Sequence, residues 1–428
     1  MPRVVIVGGG FSGCAAAVTA AKMGVETVLV EKSDYLLGVG NMAGICDING
    51  ERVGVMECEE MGAGEVFEVS RNAVKYHNVP IPHLEGSILY DLFKAEQNMR
   101  RLLDRLNVEV RFNTRATNVI WGDGKLAAIR LGRNEVLEAD AFVDATGGAG
   151  PEAMCRKHGR GCTLCLLRCP VYGPRVSITE KAGVKEGQAR QRGGGIGSMS
   201  NACVLIPGSL SPEILDRIKA GGGVALIPAP DALGDREYFR KIRTQQYLSR
   251  PEYEDNLVCV DTGMVKVMSR PWINLDALRR VKGFERAAFF DPLVGTRGNG
   301  VRFLAVAPHD NRLQVTGVPN LFCAGEKLLL VGVDTVTVSG LLAGHNAARH
   351  ALSIPPIELP RRTAVGESLA WINERLQTEE GWYHKYSMQG TGGVWDRLKE
   401  KGLYTTEREV VAGRIAELGL AGIFNKAS

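Results

Sequence analysis

Residues 3–31 of this chain read RVVIVGGGFSGCAAAVTAAKMGVETVLVE. The apolar run 3–7 predicts a buried strand, the glycine-rich residues 8–13 a tight turn, and the alanine-rich residues 14–23 a helix. Residues 25–30 predict a second strand. This order brings backbone N–H groups and a helix amino terminus toward a pyrophosphate, because the glycines remove the side chains that would block it. The stretch therefore predicts a Rossmann-type unit that binds a dinucleotide.

An acidic residue completes this pattern. Glu31 directly follows the second strand, where a carboxylate accepts hydrogen bonds from an adenosine ribose and favours a free 2′-hydroxyl over a phosphorylated one. A lone glycine motif is a weak signal, but both strands, the helix and the acid together are specific. The residues that we expect to bind the cofactor here are Gly8, Gly10, Phe11, Ser12, Gly13, Glu31 and Lys32.

The next part of the chain predicts a helix over residues 87–106 and then a β-meander over residues 108–131. Within the meander, Thr117 is a further candidate for cofactor binding. An apolar strand over residues 139–144 follows and ends in Ala145-Thr146-Gly147, three more candidates. A strand that ends in Ala-Thr-Gly after a β-meander resembles the second signature of FAD-binding proteins of the glutathione-reductase type. This resemblance implies that the cofactor is FAD.

A third segment of this kind lies far downstream. Residues 319–326 read PNLFCAGE, a strand that ends in Ala-Gly-acid. The corresponding flavoproteins place such an acid beside the ribityl chain or a phosphate, so the resemblance makes Gly325 and Glu326 candidates for FAD binding.

From this point the chain is similar to one narrower family. It resembles the closing FAD segment of the flavin-dependent tRNA-modifying group, which contains glucose-inhibited division protein A and folate-dependent tRNA-uracil methyltransferase. The similarity lies in Ala324-Gly325-Glu326, in Gly332 and in the stretch GLLAGHNAAR over residues 340–349. It implies a helix over residues 336–352 whose amino-terminal end, near Gly332 and Val333, presents backbone N–H groups and a positive dipole to the flavin.

The resemblance covers roughly residues 1–50, 105–150 and 318–352, all of which are FAD scaffold. The carboxyl-terminal part does not look like the RNA-binding region of those enzymes, and their pattern lacks the cysteine run of this chain. The family likeness therefore transfers the cofactor more safely than the substrate.

Four of the ten cysteines lie within fifteen positions. Cys155, Cys162, Cys165 and Cys169, with Pro170 behind the last, form a Cys-x6-Cys-x2-Cys-x3-Cys-Pro run. The tail of this run is closer to iron–sulfur ligation in bacterial ferredoxins than to the paired knuckles of zinc sites. We expect these four residues to bind a metal centre, foremost a [4Fe–4S] cluster. Structural zinc and metal-free redox thiols remain open as alternatives.

Two residues are candidates for catalysis. His309 shortly precedes the closing FAD strand, so it is a candidate acid or base, with a polar turn residue as the alternative. Arg175 lies in a Gly-Pro-Arg sequence that resembles one in the tRNA-modifying group. It is a candidate for holding an anionic substrate, with an ordinary salt bridge as the alternative.

The length of the chain indicates more than one domain. A chain of 428 residues exceeds the size of a single core. We expect a discontinuous FAD-binding α/β domain over residues 1–150 and 290–355, an inserted α+β cap or substrate domain with the cysteines over 151–289, and a helical region over 356–428.

A formal charge of +4 without a long basic run argues against a nucleic-acid partner but leaves one open. No signal peptide or 18-residue apolar run is apparent, which predicts a cytoplasmic protein without a membrane span.

These features predict an FAD-dependent oxidoreductase. It would exchange a hydride with a small organic substrate and pass electrons through an iron–sulfur cluster to or from a ferredoxin-like protein or NAD(P)H. Two alternatives stay open. One is a flavin-dependent tRNA-modification protein with the cysteines as a structural metal site. The other is a flavoprotein subunit of an electron-transfer complex. The apolar stripes of the carboxyl-terminal helices serve either the core or a homodimer surface.

Overall fold

The computed structural model describes residues 1–42, 53–84, 86–148, 169–191, 195–199, 203–234, 236–237, 250–268, 273–290, 301–388 and 391–425. Its centre is a parallel sheet of five strands, which we call the nucleotide sheet. The strands are, in spatial order, Leu321–Cys323, Ala141–Asp144, Arg3–Val7, Glu26–Val30 and Glu109–Arg111. The strand Arg3–Val7 lies in the middle, with Val4 opposite both Thr27 and Ala141. Nearly every residue of the inner strands is buried, as expected for a parallel sheet covered on both faces. The predicted α/β fold class is confirmed.

Two helices pack unusually closely beside the nucleotide sheet. The first helix spans Phe11–Lys22 and the long helix spans Val333–Ala351. A Cβ atom on Gly340 would overlap the carbonyl oxygen of Ser12, and one on Gly344 would overlap that of Ala16. These two glycines let the helix backbones approach closely. The Thr19 hydroxyl then donates a 2.8 Å hydrogen bond to the carbonyl of Leu341 across the contact.

The β-meander predicted over residues 108–131 is present in part, as an antiparallel sheet of the strands Ala116–Gly122, Lys125–Leu131 and Glu135–Glu138. Its expected first strand, Glu109–Arg111, instead joins the edge of the parallel nucleotide sheet. The helix predicted over residues 87–106 is shorter than expected. Its first residues form the strand Ser87–Tyr90, which pairs with Val74–Val79, and the helix itself is Leu92–Arg105. Asp91 sets this boundary because its carboxylate accepts hydrogen bonds from the backbone N–H groups of Phe93 and Lys94, which makes it the N-cap.

The segment between the two halves of the nucleotide-binding part contains its own antiparallel sheet. The strands are, in spatial order, Cys203–Leu205, Val265–Val267, Asn256–Asp261 and Val224–Pro228. The helix Pro212–Ala220 packs on this sheet, and the two share an apolar core separate from the main one. The proposed division into domains at residues 151 and 289 stays a prediction.

Helices of the carboxyl-terminal region pack onto the main core. They span Ala364–Arg375, Val394–Glu400 and Arg408–Glu417. The buried carboxylate of Glu57 accepts hydrogen bonds from the backbone N–H groups of Ala364 (2.7 Å) and Val365 (2.9 Å), and from Arg414 at 3.1 Å. One side chain thus joins two of these helices to the nucleotide-binding part.

The remaining elements are short. The α-helices are Gly38–Met42, Val53–Cys58, Glu65–Arg71, Cys169–Tyr172, Ile178–Lys181, Pro251–Glu254 and Leu275–Leu278, and a π-helix spans Glu59–Ala63. The 3-10 helices are Pro207–Ser209, Pro230–Leu233, Gly325–Leu328 and Glu380–Tyr383. Two-residue strands pair Gly187–Gln188 with Ala305–Val306 and Ser198–Met199 with Val301–Arg302. Within the described ranges, every helix is too short or too polar to cross a membrane.

Candidate functional site: a dinucleotide cleft

A cleft of about 890 Å³ lies at the carboxyl ends of the nucleotide-sheet strands. Open α/β sheets bind ligands at this edge, because the strand-to-helix turns converge there. The residues that line the cleft are Gly8, Gly10, Phe11, Ser12, Glu31, Lys32, Ser33, Tyr35, Leu37, Gly38, Val39, Gly40, Ala145, Thr146, Gly147, Glu326, Val331, Gly332, Val333 and Val336. This set contains most of the residues that the sequence nominated for cofactor binding and draws them from four separate chain segments.

Two helix amino termini meet at the cleft. The first helix has Gly10 as its N-cap and the long helix has Gly332, and neither N-cap makes a side-chain capping bond. The first N–H groups of a helix lack partners within the helix and carry a partial positive charge. Both helices therefore direct uncapped N–H donors at the same cleft, an arrangement suited to an anionic group such as a pyrophosphate.

Glycines keep the backbone of the cleft free of side chains. Gly8 has a φ of 106°, and a Cβ there would overlap the carbonyl oxygen of Ala145. A Cβ on Gly13 would overlap the carbonyl oxygen of Gly8. Gly13 does not line the cleft itself, so its role is the tight contact between turn and helix that the sequence predicts for the third glycine.

Glu31 is buried beside this turn and lines the cleft. One of its carboxylate oxygens accepts a 2.6 Å hydrogen bond from the backbone N–H of Gly9. The other accepts from the backbone N–H and the hydroxyl of Ser33, at 2.8 Å and 2.7 Å. Three donors therefore fix the carboxylate in place, and its ribose contact stays a prediction.

A smaller pocket of about 360 Å³ adjoins the cleft. The two cavities share Gly8, Glu31, Lys32 and Thr146. The smaller one adds a segment that sequence reasoning missed, Thr114, Arg115 and Ala116. This segment follows the edge strand Glu109–Arg111 and is held by a hydrogen bond from the backbone N–H of Thr114 to the carbonyl of Glu31. Its position directly after a strand of the nucleotide sheet is the signal that could have identified it.

Thr117, which was also predicted to bind the cofactor, follows this segment directly in the sequence. Its hydroxyl lies 3.2 Å from the carbonyl oxygens of both Arg130 and Gly132 and bonds within the β-meander. It belongs to the lining of neither cavity. Lys32, in contrast, lines both, and its ammonium group donates a 2.9 Å hydrogen bond to the carbonyl of Gly173.

Gly325 and Glu326 close the cleft from the strand Leu321–Cys323. Gly325 has a φ of 69°, and a Cβ there would lie 2.5 Å from the Ser12 hydroxyl oxygen. Glu326 lines the cleft and accepts a 2.8 Å hydrogen bond from the backbone N–H of Gly148. Gly325 thus serves packing, while Glu326 ties two cleft-lining segments together.

A buried ionic cluster lies behind the cleft wall. The Lys327 ammonium group is fully buried and contacts Glu186, the Ser177 hydroxyl at 2.8 Å, and Asp144 at 3.4 Å. Burial lowers the pKa of Lys327 from its ordinary value, and the attraction of Asp144 opposes this by favouring the charged ammonium form. Burial alone would raise the pKa of Asp144, but Lys327 and the hydroxyl of Thr146 outweigh it and hold that pKa well below its usual range.

Arg175 lies at the edge of this cluster. Its guanidinium group is 3.9 Å from the carboxylate of Glu186, and the residue lines the smaller pocket beside Glu31 and Thr146. This position is compatible with both predicted roles of Arg175, an anion contact and a salt bridge. The salt bridge is the one present within the chain.

His309 is held within its own turn. Its ring nitrogen Nδ1 bonds the carbonyl oxygen of Ala307 at 2.7 Å, and burial lowers the pKa of the ring. His309 does not line the cleft. Nor does it line the smaller pocket, which Arg175 does, and the catalytic role of His309 stays a prediction.

Three of the four predicted metal ligands, Cys155, Cys162 and Cys165, lie outside the described residues. Cys169 begins the short helix Cys169–Tyr172 and is exposed. Among the residues that the structure describes, no three or more His, Cys, Asp or Glu side chains are grouped so as to hold a metal ion. The iron–sulfur prediction therefore gains no support.

The fit of the cleft to FAD rests on its own features. Glycines clear a path that a Cβ would fill, and uncapped helix ends supply N–H donors at two points. Gly8, Gly10, Ser12 and Glu31 would hold the dinucleotide portion, and Glu326, Gly332 and Val333 the flavin portion.

Comparison with protein families agrees with this assignment. The family model described as FAD dependent oxidoreductase matches residues 3–150. The model described as glucose inhibited division protein A matches residues 249–355. The two matches together include both halves of the cleft.

Curated relatives and solved structures point the same way. The tRNA uridine 5-carboxymethylaminomethyl modification enzyme MnmG of Thermus thermophilus is 35% identical over 104 residues, 22% of this chain and 15% of the relative. The methylenetetrahydrofolate–tRNA-(uracil-5-)-methyltransferase TrmFO of Enterococcus faecalis is 36% identical over 100 residues, 23% of this chain and 22% of the relative. These matches span well under two thirds of either relative.

A solved structure of Aquifex aeolicus GidA is similar over 97% of this chain and 76% of its own, with a TM-score of 0.61 and 14% identity. A second crystal form gives a TM-score of 0.60. At this identity the likeness concerns the fold alone. The amino-terminal part of the chain thus matches the FAD-dependent oxidoreductase family, and the fold of the chain is similar to that of GidA.

Proposed function

We propose that this protein is a flavin-dependent enzyme that modifies a uracil base in RNA. The observation that carries the proposal is the match of residues 249–355 to the glucose inhibited division protein A family. That stretch contains Glu326, Gly332 and Val333, the part of the cleft wall nearest the expected flavin ring. The names of both curated relatives place their chemistry at position 5 of uridine or uracil in tRNA.

The chain's own residues have clear tasks in this function. The helix ends at Gly10 and Gly332 bind negative charge, and Glu31 orients the adenosine end. Glu326 fixes the loop at Gly148 and so keeps the cleft wall in place. Bound FAD supplies two-electron oxidation and reduction, while the protein supplies binding and orientation.

The cysteine run has a structural role in this proposal. Four thiolates within fifteen positions suit a structural metal ion such as zinc. The residues Arg156, Lys157, Arg160 and Arg168 lie among these cysteines in the sequence. A segment that is rich in basic residues and held by a metal ion is suited to contact RNA phosphates. Such a local basic segment can bind RNA even though the net charge of the whole chain is small.

A second candidate function rests on the spacing of the same cysteines. The sequence Cys-x2-Cys-x3-Cys-Pro favours a [4Fe–4S] cluster that relays single electrons between the flavin site and a ferredoxin-like carrier or NAD(P)H. The substrate would then be a small organic molecule. Counts of iron, sulfide and zinc in anaerobically purified protein distinguish the two candidates, since only the second requires iron.

The test of the main proposal compares tRNA from the source organism with and without the gene. We expect one modified uridine to disappear on deletion, in nucleosides analysed by mass spectrometry, and to return with the wild-type gene but not with a Gly8→Val variant. Purified protein should also bind bulk tRNA with an affinity that falls steeply as salt rises. Unchanged nucleosides together with salt-independent RNA binding would reject the proposal.

A further inference from the structure

The buried cluster behind the cleft joins chain segments that are far apart in sequence. Lys327 and Ser177 are separated by 150 positions, and their side chains meet at 2.8 Å. Lys327 follows the strand Leu321–Cys323, Asp144 ends the strand Ala141–Asp144, and Glu186 lies just before the strand Gly187–Gln188. The cluster therefore connects two strands of the nucleotide sheet to the segment that follows the cysteine run.

Each member of the cluster is bonded to its neighbours. One Asp144 oxygen accepts hydrogen bonds from the Thr146 hydroxyl (2.6 Å) and the Thr146 backbone N–H (3.2 Å). Its other oxygen accepts from the Ser177 hydroxyl (3.0 Å), the Thr179 hydroxyl (2.7 Å) and the Thr179 backbone N–H (3.0 Å). The Ser177 hydroxyl also lies 2.6 Å from Glu186, and because it has one proton it donates to either Asp144 or Glu186 at a time. Asp144 thus holds a residue of the cleft wall on one side and residues 177–179 on the other.

The cluster touches the cleft at two points. Thr146 lines both the cleft and the smaller pocket, and it is bonded directly to Asp144. Glu326, the neighbour of Lys327 in sequence, lines the cleft on the opposite segment. Because the Lys327 side chain is anchored by two carboxylates and a hydroxyl, the short helix Gly325–Leu328 that carries Glu326 has a fixed position.

The charges of the cluster balance. Asp144 and Glu186 supply two negative charges, and Lys327 and Arg175 supply two positive ones. Buried charges are tolerated when they are paired and hydrogen-bonded, and removal of one partner leaves an uncompensated charge. The geometry of all four side chains is therefore interdependent.

We propose that Lys327 is a positioning residue for the cofactor, which through Asp144 and Glu186 fixes Thr146 and Glu326 in the cleft and couples residues 177–186 to FAD binding. This role does not depend on the RNA substrate. It concerns how the chain prepares the cleft, and it would hold for either candidate function.

The test measures FAD affinity and folding stability separately. Apoprotein of the Lys327→Met variant is titrated with FAD, and its unfolding in urea is recorded without FAD. We expect the FAD dissociation constant to rise about tenfold to a hundredfold, the effect of one charge-assisted contact. The visible circular dichroism of bound FAD should change as well, because the surroundings of the flavin ring shift.

A double variant removes the charge imbalance. The double variant Lys327→Met with Glu186→Gln keeps one acidic side chain, Asp144, and one basic side chain, Arg175, in the cluster. The double variant should therefore resist urea better than the single variant Lys327→Met. The weak FAD affinity should persist, because Glu326 still lacks its anchor. Recovery of both properties together would overturn the proposal, since Lys327 would then act on stability alone.

Two further variants keep the test decisive. Thr179→Val removes one hydroxyl that donates to Asp144 and leaves the charge unchanged. It therefore tests the coupling between residues 177–186 and FAD binding even if Lys327→Met fails to fold. We expect it to weaken FAD binding several-fold. Lys22→Met is the matched control, because Lys22 bonds Glu65 at 2.5 Å at the far end of the first helix. FAD affinity in Thr179→Val equal to wild type, or a loss in Lys22→Met as large as in Lys327→Met, would overturn the proposal.

Discussion

Gly340 of the long helix lies against Ser12 of the first helix so closely that a Cβ on Gly340 would overlap the Ser12 carbonyl oxygen. Both helices begin at the cleft, one at Gly10 and the other at Gly332. The close contact therefore sets the distance between the two helix ends that face the cofactor. Packing of small residues, rather than a hydrogen-bonded bridge alone, holds the site together.

Replacement of Gly340 by alanine tests this contact. The added methyl group must push the helices apart, because the nearest atoms are backbone atoms of the first helix. We expect the free energy of unfolding to fall by about 1–3 kcal/mol, as for other overpacked cores, and FAD affinity to fall with it. Urea denaturation and FAD titration measure the two effects.

Gly413→Ala is the matched control for that substitution. Gly413 lies within the helix Arg408–Glu417 and has open space where a Cβ would stand. Alanine is the better helix former by about 1 kcal/mol, so this variant should be slightly more stable than wild type. A Gly340→Ala protein as stable as Gly413→Ala would refute the packing account.

Glu31→Gln tests the acid after the second strand. An amide group accepts hydrogen bonds only at its oxygen, whereas the Glu31 carboxylate accepts from Gly9 on one side and Ser33 on the other. One set of donors must then face the amide N–H groups. We expect the FAD dissociation constant to rise about tenfold or more, since each such contact to a charged group is strong. Glu109→Gln, on the exposed edge strand, should bind FAD like wild type.

His345 predicts how stability depends on pH. It is buried in the long helix against Phe424, and neither ring nitrogen has a hydrogen-bond partner among the described residues. Burial lowers the pKa of His345 to about 4, from about 6.5 in an unfolded chain. Between these values the unfolded state binds the proton more readily than the folded state. The stabilisation is therefore complete above pH 6.5 and is lost as the pH falls toward 4.

Urea denaturation of a His345→Leu variant at several pH values measures this effect. The wild type should lose about 3 kcal/mol more than the variant between pH 7 and pH 4, as the difference between the two pKa values implies. His77→Leu, at an exposed position, should follow the wild type. Parallel pH curves for wild type and His345→Leu would contradict the assignment.

Glu57→Gln tests how the carboxyl-terminal helices are joined to the core. The carboxylate binds Ala364, Val365 and Arg414 at once, and an amide cannot accept all three hydrogen bonds. Loss of one member of a buried ion pair costs about 3 kcal/mol or more. We expect earlier unfolding in urea and faster proteolysis of residues 356–425. Glu60→Gln, whose carboxylate is 3.6 Å from Arg408 at a more exposed site, should change neither.

Sequence reasoning identified those parts of the site that depend on short, continuous stretches of the chain. Gly8, Gly13 and Glu31 belong to one continuous strand–turn–helix–strand unit, and their roles follow from backbone space and charge. The strand ends at Thr146 and Glu326 were identified through short signatures. The long helix begins at Val333, three positions before the predicted start, because Gly332 already serves as its N-cap.

What the sequence did not reveal depends on tertiary contacts. Lys327 gains its role only when Asp144 and Glu186 meet it, and no spacing rule connects three residues so far apart. Arg115 lines the smaller pocket because it follows the edge strand Glu109–Arg111, which pairs with the strand that precedes Glu31. The helix predicted to begin at residue 87 begins at Leu92 instead, since Asp91 forms a cap that the apolar pattern does not register.

The most direct test of the account is the FAD content of the purified protein. The absorption spectrum of flavin released on denaturation, measured against protein concentration, should give one FAD per chain. A Gly8→Val variant should release none, because valine cannot adopt the φ of 106° at that position without strain and its Cβ would overlap Ala145. Wild-type protein that stays free of flavin after incubation with FAD, or a Gly8→Val protein that keeps it, would contradict the account.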